Sequence, residues 1–336
     1  MSTTDEYEWL RVPDEYAREY LRQAGELRLS ASSVRTYDSQ LSEYVVFLHD
    51  EDLSVLDAEF TNVFGFVESC VRRQNRQSTI EGKVSTVREL YYYIRLRTEA
   101  GSDLQFDPLR FREIDVSRYK MPEPIQREAL SREEIRRLFD AFESYRNRLM
   151  AVVAVETGLR NSDLRELQIE YLDLDGLEIH IPKPKGSKPY DVPISADLAF
   201  ELDFWFRHHR GGYSNASESD FVFPSQSGEK LESNGSLNRI VREAAERAEI
   251  QEVIGESRIP EAQKTALGTD SDVRKWYRVT PHTLRHSFIT LLNQAGVGLP
   301  YRQLVANHST AETTQKYTHD KEDTFVKIRN RFDPPR

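Results

Sequence analysis

The sequence predicts a mainly α-helical protein of two domains, with one small antiparallel β-sheet in the second domain. Apolar side chains recur every three or four residues through the first hundred positions, which is the period of amphipathic helices. The stretch 101–128 sustains no such period and is interrupted by glycine and proline. Helical periodicity then returns, and residues 177–181 and 189–194 alternate in polarity like the two strands of a hairpin.

These observations divide the chain into three parts. Residues 1–100 are expected to form a compact bundle of four or five short helices. Residues 129–336 are expected to form an α+β domain with a C-terminal tail. Residues 101–128 are expected to link the two domains, because no sustained apolar face is present to pack. The longer polar stretch 251–275 reads as a mobile insertion in the second domain.

The clearest helix start in the first domain is Ser78–Glu81, which matches a capping box. In that motif the serine and the glutamate side chains bond the free backbone amides of the first turn. Lys83, Arg88 and Arg95 follow on the polar side of the same helix, where we expect them to stay available to solvent or to phosphate. A solvated helix face is the alternative interpretation of these three side chains.

Cysteine and histidine are placed unfavourably for a metal site. Cys70 is the only cysteine, which excludes an intrachain disulfide and a cysteine cluster, and its helical spacing predicts a buried side chain. His180, His208 and His209 have no partners at metal-ligand spacing. We therefore expect neither a metal nor another cofactor.

The charge of the chain bears on its partners. A formal net charge of -10 argues, taken alone, against nucleic acid, because binding to the phosphate backbone normally recruits a basic surface. Basic residues are nevertheless concentrated in stretches such as 72–76 and 274–285, which is compatible with a basic channel on an acidic body. An acidic surface adapted to high salt is a further hypothesis.

The sequence contains no apolar run approaching the roughly 20 residues that cross a bilayer. Its first ten residues lack the basic and then apolar pattern of a signal peptide. A cytoplasmic protein without a membrane partner is therefore expected.

The second domain is predicted to begin with a helix at the capping box Ser131–Glu134. A strongly apolar stretch over 149–155 predicts a buried core helix after it. Arg160 then falls in the turn between two helices, where a guanidinium can project into a cleft. An ion pair between Arg160 and Glu156 or Asp163 is an equally open interpretation of the local sequence.

A second group of polar residues lies between positions 281 and 320. His282 and Arg285 are expected to open a helix after a proline, and their spacing puts both side chains on one face of its first turn. His308 follows, and Tyr317 is expected on a separate short helical turn. These residue types bind phosphate or attack it, so the stretch is a candidate catalytic site.

The order of these residues resembles that of a known family. H-x-x-R, then His308, then Tyr317 within T-T-x-x-Y-T-H resembles the second signature box of the tyrosine recombinase, or phage integrase, family. The stretch T-G-L-R-N-S-D-L around Arg160 resembles the first box, with Asp163 where glutamate is usual. The resemblance is strong over 130–320 and loose before it, and within the family the chain resembles Xer-like site-specific recombinases.

This resemblance implies an enzyme that cleaves and rejoins DNA through a covalent 3′-phosphotyrosyl intermediate, without metal or ATP. Tyr317 is the implied nucleophile, and Lys185 on the hairpin turn is the implied general acid, with Lys188 as the competing candidate. The full set of implied catalytic residues is Arg160, Lys185, His282, Arg285, His308 and Tyr317.

The resemblance also implies that the first domain is a SAM-like core-binding domain that clamps one side of a DNA duplex. The basic residues expected to contact DNA are Lys83, Arg88, Arg95 and Lys188. The implied partner is a double-stranded DNA recombination site, which a homotetramer of this chain would bind. Without DNA, the protein could be a monomer. The C-terminal tail is implied to pack into a neighbouring subunit, and packing on its own domain is equally open.

Two other functional classes use part of the same residues. A type IB topoisomerase performs the same chemistry to relax supercoils, and a non-cutting DNA-binding regulator of an integrated element would keep only the binding surface. The histidine that opens H-x-x-R and the helical first domain favour the recombinase over the topoisomerase. The complete set of catalytic residue types argues against the regulator.

Overall fold

The computed structural model describes residues 7–123, 125, 127–182, 189–226, 228–259, 270–299, 302, 325–326, 328 and 334–335. The chain divides into two compact units. The first unit comprises residues 1–124 with 257–274, and the second comprises residues 125–256 with 275–336. The structure is mainly helical with small β-sheets, as the sequence predicts.

In the part of the chain that the structure describes, the first unit is a bundle of four α-helices built around an aromatic core. Tyr44 and Tyr91 lie fully buried at its centre, where their hydroxyls hydrogen-bond each other at 2.8 Å. The Tyr91 hydroxyl also donates to the Val55 carbonyl at 3.1 Å, so neither buried phenol loses its hydrogen bonds. The helices are α1 (Glu15–Leu27), α2 (Ala31–His49), α3 (Phe60–Arg72) and α4 (Gln77–Arg97).

The start of α4 differs from the sequence prediction. The helix begins at Gln77 after Arg76, so Ser78 lies inside the first turn and its hydroxyl does not cap the helix. The predicted capping box at Ser78–Glu81 is therefore wrong. Glu81 instead accepts a hydrogen bond from the Gln77 side chain at 2.9 Å, which is an ordinary pairing one helical turn apart.

Much of the stretch 101–128, predicted as a linker, packs into the first unit. Three short 3-10 helices span Glu99–Ser102, Pro108–Glu113 and Val116–Arg118. The side chains of Phe106, Phe111 and Val116 are buried in the core of the first unit. A chain without helical periodicity can still bury aromatic rings, which periodicity alone does not reveal. The domain boundaries given above stay a prediction.

The second unit contains six α-helices among the described residues. The first begins at the predicted capping box of Ser131 and Glu134, which is confirmed by both reciprocal hydrogen bonds. The predicted core helix is also confirmed, with every residue from Leu149 to Thr157 buried. The helices are α5 (Arg132–Asp140), α6 (Tyr145–Thr157), α7 (Asn161–Arg165), α8 (Ala196–His208), α9 (Asn234–Arg247) and α10 (Pro281–Gln294).

A three-stranded antiparallel sheet lies between α7 and α8 in the chain. Its strands are β1 (Leu172–Asp173), β2 (Glu178–Ile181) and β3 (Tyr190–Pro193), in that spatial order. The predicted hairpin is confirmed by the pairing of β2 with β3, in which Ile181 lies opposite Tyr190. The turn that carries Lys185 and Lys188 lies outside the described residues.

A second sheet occupies part of the stretch 251–275, where the sequence predicts a mobile insertion. It contains β4 (Val253–Arg258) and β5 (Val273–Tyr277). Backbone bonds from Arg278 to Glu252 and from Ile259 to Asp272 show that the strands run in opposite directions. The sequence does not predict these strands, and the mobility of the stretch stays a prediction. Val253 and Val273 are exposed, so the ribbon lacks the buried face that would reveal it in the sequence.

Two residues of the C-terminal tail contribute to a hydrophobic core. Phe325 and Ile328 are buried in the core of the second unit. Of the two interpretations left open by the sequence, packing of the tail on its own domain is the one these side chains follow.

The end of α6 depends on a glycine. Gly158 adopts the left-handed conformation, with φ of 64°, and its amide bonds the Ala154 carbonyl to close the helix. A β-carbon built at this position would lie 2.3 Å from the Phe288 ring on α10. Glycine is therefore required both by the backbone conformation and by the close approach of α10.

We expect Gly158→Ala to lower the free energy of unfolding by about 3 kcal/mol, because backbone strain and the clash with Phe288 add. Gly296→Ala is the matched control: Gly296 also has a positive φ, of 74°, and no atom of the described residues lies within 4 Å of the place that its added methyl group would occupy. That variant should lose only about 1 kcal/mol. Thermal unfolding of both variants measures the difference, and equal losses would contradict the packing argument.

Candidate active site

The first turn of α10 positions Arg285. Thr280 caps this helix, exchanging hydrogen bonds with Thr283, and Pro281 occupies the first helical position. These features fix the start of the helix, so Arg285 lies one turn inside it and faces the end of α6. Its side chain is buried, and its guanidinium donates a hydrogen bond to the Gly158 carbonyl.

Arg160 reaches the same place from the other side of that glycine. It is the N-cap residue of α7, in the predicted turn between α6 and α7. Its side chain is 28% exposed, and its Nη1 atom lies 3.7 Å from Oδ2 of Asp163. The pair with Asp163 that the local sequence left open is therefore present, and it coexists with a partly open guanidinium.

The two guanidiniums are close enough to influence each other. Burial lowers the pKa of Arg285, and the positive charge of Arg160 lowers it further. The Tyr190 and Asp163 side chains act in the opposite direction on the pKa of Arg285. Two cations and one carboxylate thus share a partly buried cluster, and such an arrangement attracts an anion that can accept paired hydrogen bonds.

His282 lies on the same turn of α10 as Arg285 but is exposed. Its pKa is lowered by partial desolvation and by the positive charges of Arg127, Arg285 and His286. The imidazole is consequently neutral near pH 7 and has a nitrogen that can accept a proton. The structure therefore brings Arg160 and Arg285 together and places His282 on the same turn as Arg285. The catalytic roles of the three residues stay a prediction.

The remaining predicted catalytic residues cannot be placed in this geometry. Lys185, His308 and Tyr317 lie outside the described residues, as does the DNA-binding candidate Lys188. Their assignment stays a prediction.

Two residues of the cluster were not predicted as site residues. Asp163 is buried beside Arg160, and Tyr190 is buried with its hydroxyl 3.4 Å from Oδ2 of Asp163. The position of Asp163 in the first signature box was a sequence signal for its proximity to Arg160. Tyr190 carried no such signal, because only the fold brings β3 to α7.

Of the DNA-binding candidates on α4, Lys83 does not occupy the exposed position that was expected. It is buried, and its ammonium donates to Glu43 Oε1 and to Asn75 Oδ1, each at 2.7 Å. The expectation that Lys83 stays available to solvent or phosphate is therefore wrong, because its charge is used inside the bundle. Arg88 and Arg95 are exposed, as expected.

Cys70 lies beside Lys83 and is fully buried, as predicted from its helical spacing. Burial raises the pKa of its thiol above the ordinary value. Among the described residues, no group of three or more His, Cys, Asp or Glu side chains could hold a metal ion. Within the same part of the chain, no helix combines the length and the apolar character needed to cross a membrane.

Comparison with known proteins shows the family to which the chain belongs. A model of the phage integrase family matches residues 128–323, and a model of the phage integrase N-terminal SAM-like domain matches residues 16–98. The chain belongs to the phage integrase family. It is a tyrosine-type site-specific recombinase that acts on DNA, with a SAM-like first domain.

Individual relatives agree with this membership. Tyrosine recombinase XerD of Haemophilus influenzae is 24% identical over 333 residues, which cover 97% of this chain and 98% of the relative. The XerH recombinase in a post-cleavage complex with palindromic difH has a similar fold, with a TM-score of 0.62 and 20% identity over 92% of this chain and 82% of that one. A lambda integrase dimer bound to a COC′ core site gives a TM-score of 0.62 and 15% identity, covering 89% and 95%.

The contrast between Lys83 and Arg88 gives a test of which side chain of α4 contacts DNA. Lys83→Met should lower the free energy of unfolding by about 1–3 kcal/mol, because partly buried Glu43 and Asn75 lose a charged partner. It should leave DNA affinity unchanged. Arg88→Ala should leave the free energy of unfolding unchanged and weaken the binding of DNA of any sequence. It should also reduce the salt dependence of binding by about one phosphate contact.

Thermal unfolding and DNA binding titrated over a range of salt concentrations measure the two effects. If Lys83→Met weakened DNA binding in a protein of unchanged stability, its assignment to the interior of the bundle would be incorrect.

Proposed function

We propose that this recombinase cleaves DNA by attack of Tyr317 on a phosphodiester, forming a covalent 3′-phosphotyrosyl intermediate without metal or ATP. The observation that carries the proposal is the pairing of Arg160 with buried Arg285 around Gly158. Two guanidiniums at one partly open position match the two non-bridging oxygens of a phosphodiester, which gains negative charge there in the transition state.

The two arginines have complementary parts in this step. Arg285 is fixed by burial and by its bond to the Gly158 carbonyl, so it provides a preorganised donor. Arg160 is more exposed and can adjust to the bound phosphate. Preorganised donors stabilise developing charge without reorganising during the reaction, which is the main electrostatic contribution to such catalysis.

The chemical step requires one proton to leave and another to arrive. The phenol oxygen of Tyr317 bonds to phosphorus, its proton passes to a base, and the bond to the 5′ oxygen breaks. His282, whose pKa is lowered by partial burial and neighbouring positive charges, is proposed as the base. Lys185 is proposed as the acid that protonates the 5′ oxygen, and His308 as a further donor to the phosphate. The phosphotyrosyl bond conserves the energy needed for rejoining.

We further propose that the partner is a double-stranded recombination site and that the active assembly is a homotetramer. The support comes from relatives, since solved structures include a lambda integrase dimer on a COC′ core site and a lambda integrase tetramer on a Holliday junction. Arg88 and Arg95 are the exposed candidates for backbone contacts in the first domain, and Lys188 is the candidate in the second.

Tyr317→Phe should abolish the covalent protein–DNA adduct while leaving DNA affinity within about twofold of wild type. The variant keeps the aromatic ring and loses only the nucleophilic oxygen. A nicked substrate that traps the intermediate, followed by denaturing electrophoresis, measures the adduct. An adduct that persists in Tyr317→Phe would contradict the assignment. Specific binding without an adduct in wild type would favour a non-cutting regulator.

The roles of Lys185 and Lys188 can be distinguished with a DNA substrate whose cleavage does not need a general acid. Replacing the scissile 5′ oxygen by sulfur gives a thiolate leaving group, whose pKa of roughly 8.5 makes protonation unnecessary. We expect Lys185→Ala to slow cleavage of the normal substrate by about 100-fold or more. The cleavage rate of this variant should recover on the sulfur substrate. Lys188→Ala is the matched control and should show no selective recovery. The reverse result would make Lys188 the acid.

A further inference from the structure

Tyr190 is the first residue of β3 and is buried, although its strand neighbours the hairpin turn. Its ring belongs to the core of the second unit. Its hydroxyl donates a hydrogen bond to Oδ2 of Asp163 at 3.4 Å, which links the three-stranded sheet to α7. Burial and the charge of Asp163 raise the pKa of the phenol, so it stays protonated and acts as a donor.

Asp163 connects this hydroxyl to Arg160. The same oxygen, Oδ2, lies 3.7 Å from Nη1 of Arg160, while Oδ1 lies 3.3 Å from the hydroxyl of Ser162. Arg160, Ser162 and Asp163 all belong to the short segment around α7. The bond from Tyr190 is therefore a contact by which the three-stranded sheet helps to fix the direction of the carboxylate.

We propose that Tyr190 is a positioning residue for strand cleavage: its hydroxyl holds the Asp163 carboxylate, which in turn directs the Arg160 guanidinium to the scissile phosphate. The inference rests on the proposed role of Arg160. Tyr190 would also couple the hairpin to the phosphate site, because a displacement of β3 would move the hydroxyl that holds Asp163 and, through Asp163, Arg160.

A role in packing alone would need only the aromatic ring. A buried hydroxyl is costly unless it is hydrogen-bonded, and phenylalanine would fill the same space without that cost. The Tyr190 hydroxyl donates to the same carboxylate that pairs with Arg160, and this contact favours a positioning role over a role in packing alone. A packing role would be kept by Tyr190→Phe, whereas a positioning role would be lost.

The test compares Tyr190→Phe with wild type on a nicked substrate under single-turnover conditions. We expect the cleavage rate constant to fall about three- to tenfold, which corresponds to losing one hydrogen bond. DNA affinity and the final amount of adduct should stay at wild-type values, and the variant should remain folded at the assay temperature. Tyr145→Phe is the matched control, since Tyr145 is half-buried at the opposite end of α6 and stacks on His209. It should cleave at the wild-type rate.

A double-mutant cycle with Asp163→Asn then shows whether Tyr190 acts through the carboxylate. If it does, adding Tyr190→Phe to Asp163→Asn should cause little further loss of rate. A rate for Tyr190→Phe within twofold of wild type, or additive losses in the cycle, would overturn the inference while leaving the proposed function in place. Absence of a Tyr317-dependent adduct in wild type would overturn both.

Discussion

The hydrogen bond from buried Arg285 to the Gly158 carbonyl is the interaction on which the active site depends. It joins the first turn of α10 to the end of α6, and so brings together residues that are distant in the sequence. The bond requires α6 to end in a left-handed glycine and requires α10 to pack closely enough for Phe288 to touch that glycine. Core packing therefore determines where the Arg285 guanidinium lies, which is where the proposed function puts the phosphate.

The cost of this arrangement is the closeness of two positive charges. Burial and the charge of Arg160 both lower the pKa of Arg285, which means that its charged form is less favourable here than in water. Asp163 offsets part of that repulsion, and Tyr190 holds Asp163. A phosphodiester would offset more, since it brings a negative charge and acceptors for both guanidiniums. Under the proposed function, a bound phosphate would therefore reduce the repulsion between the two guanidiniums.

Sequence reasoning succeeded where local chemistry determines structure. The capping box at Ser131, the buried helix before Gly158 and the helix opened by Pro281 follow from short-range patterns. Arg160 follows the buried helix, and His282 and Arg285 lie on the helix opened by Pro281. Sequence reasoning failed where a position depends on tertiary contacts. Lys83 reads as a surface cation, but Glu43 on α2 draws it inside. Tyr190 and the exposed ribbon of β4 and β5 have no local pattern that reveals their contacts.

The most direct test of the central claim is to identify the residue that carries DNA. Wild-type protein would be trapped on a nicked substrate and treated with nuclease and trypsin, and the nucleotide-bearing peptide would be sequenced by mass spectrometry. The account predicts a nucleotide on Tyr317, within the peptide 317–321 that cleavage after two lysines releases. A nucleotide on any other residue would contradict the proposed mechanism, whatever the geometry around Arg160 and Arg285.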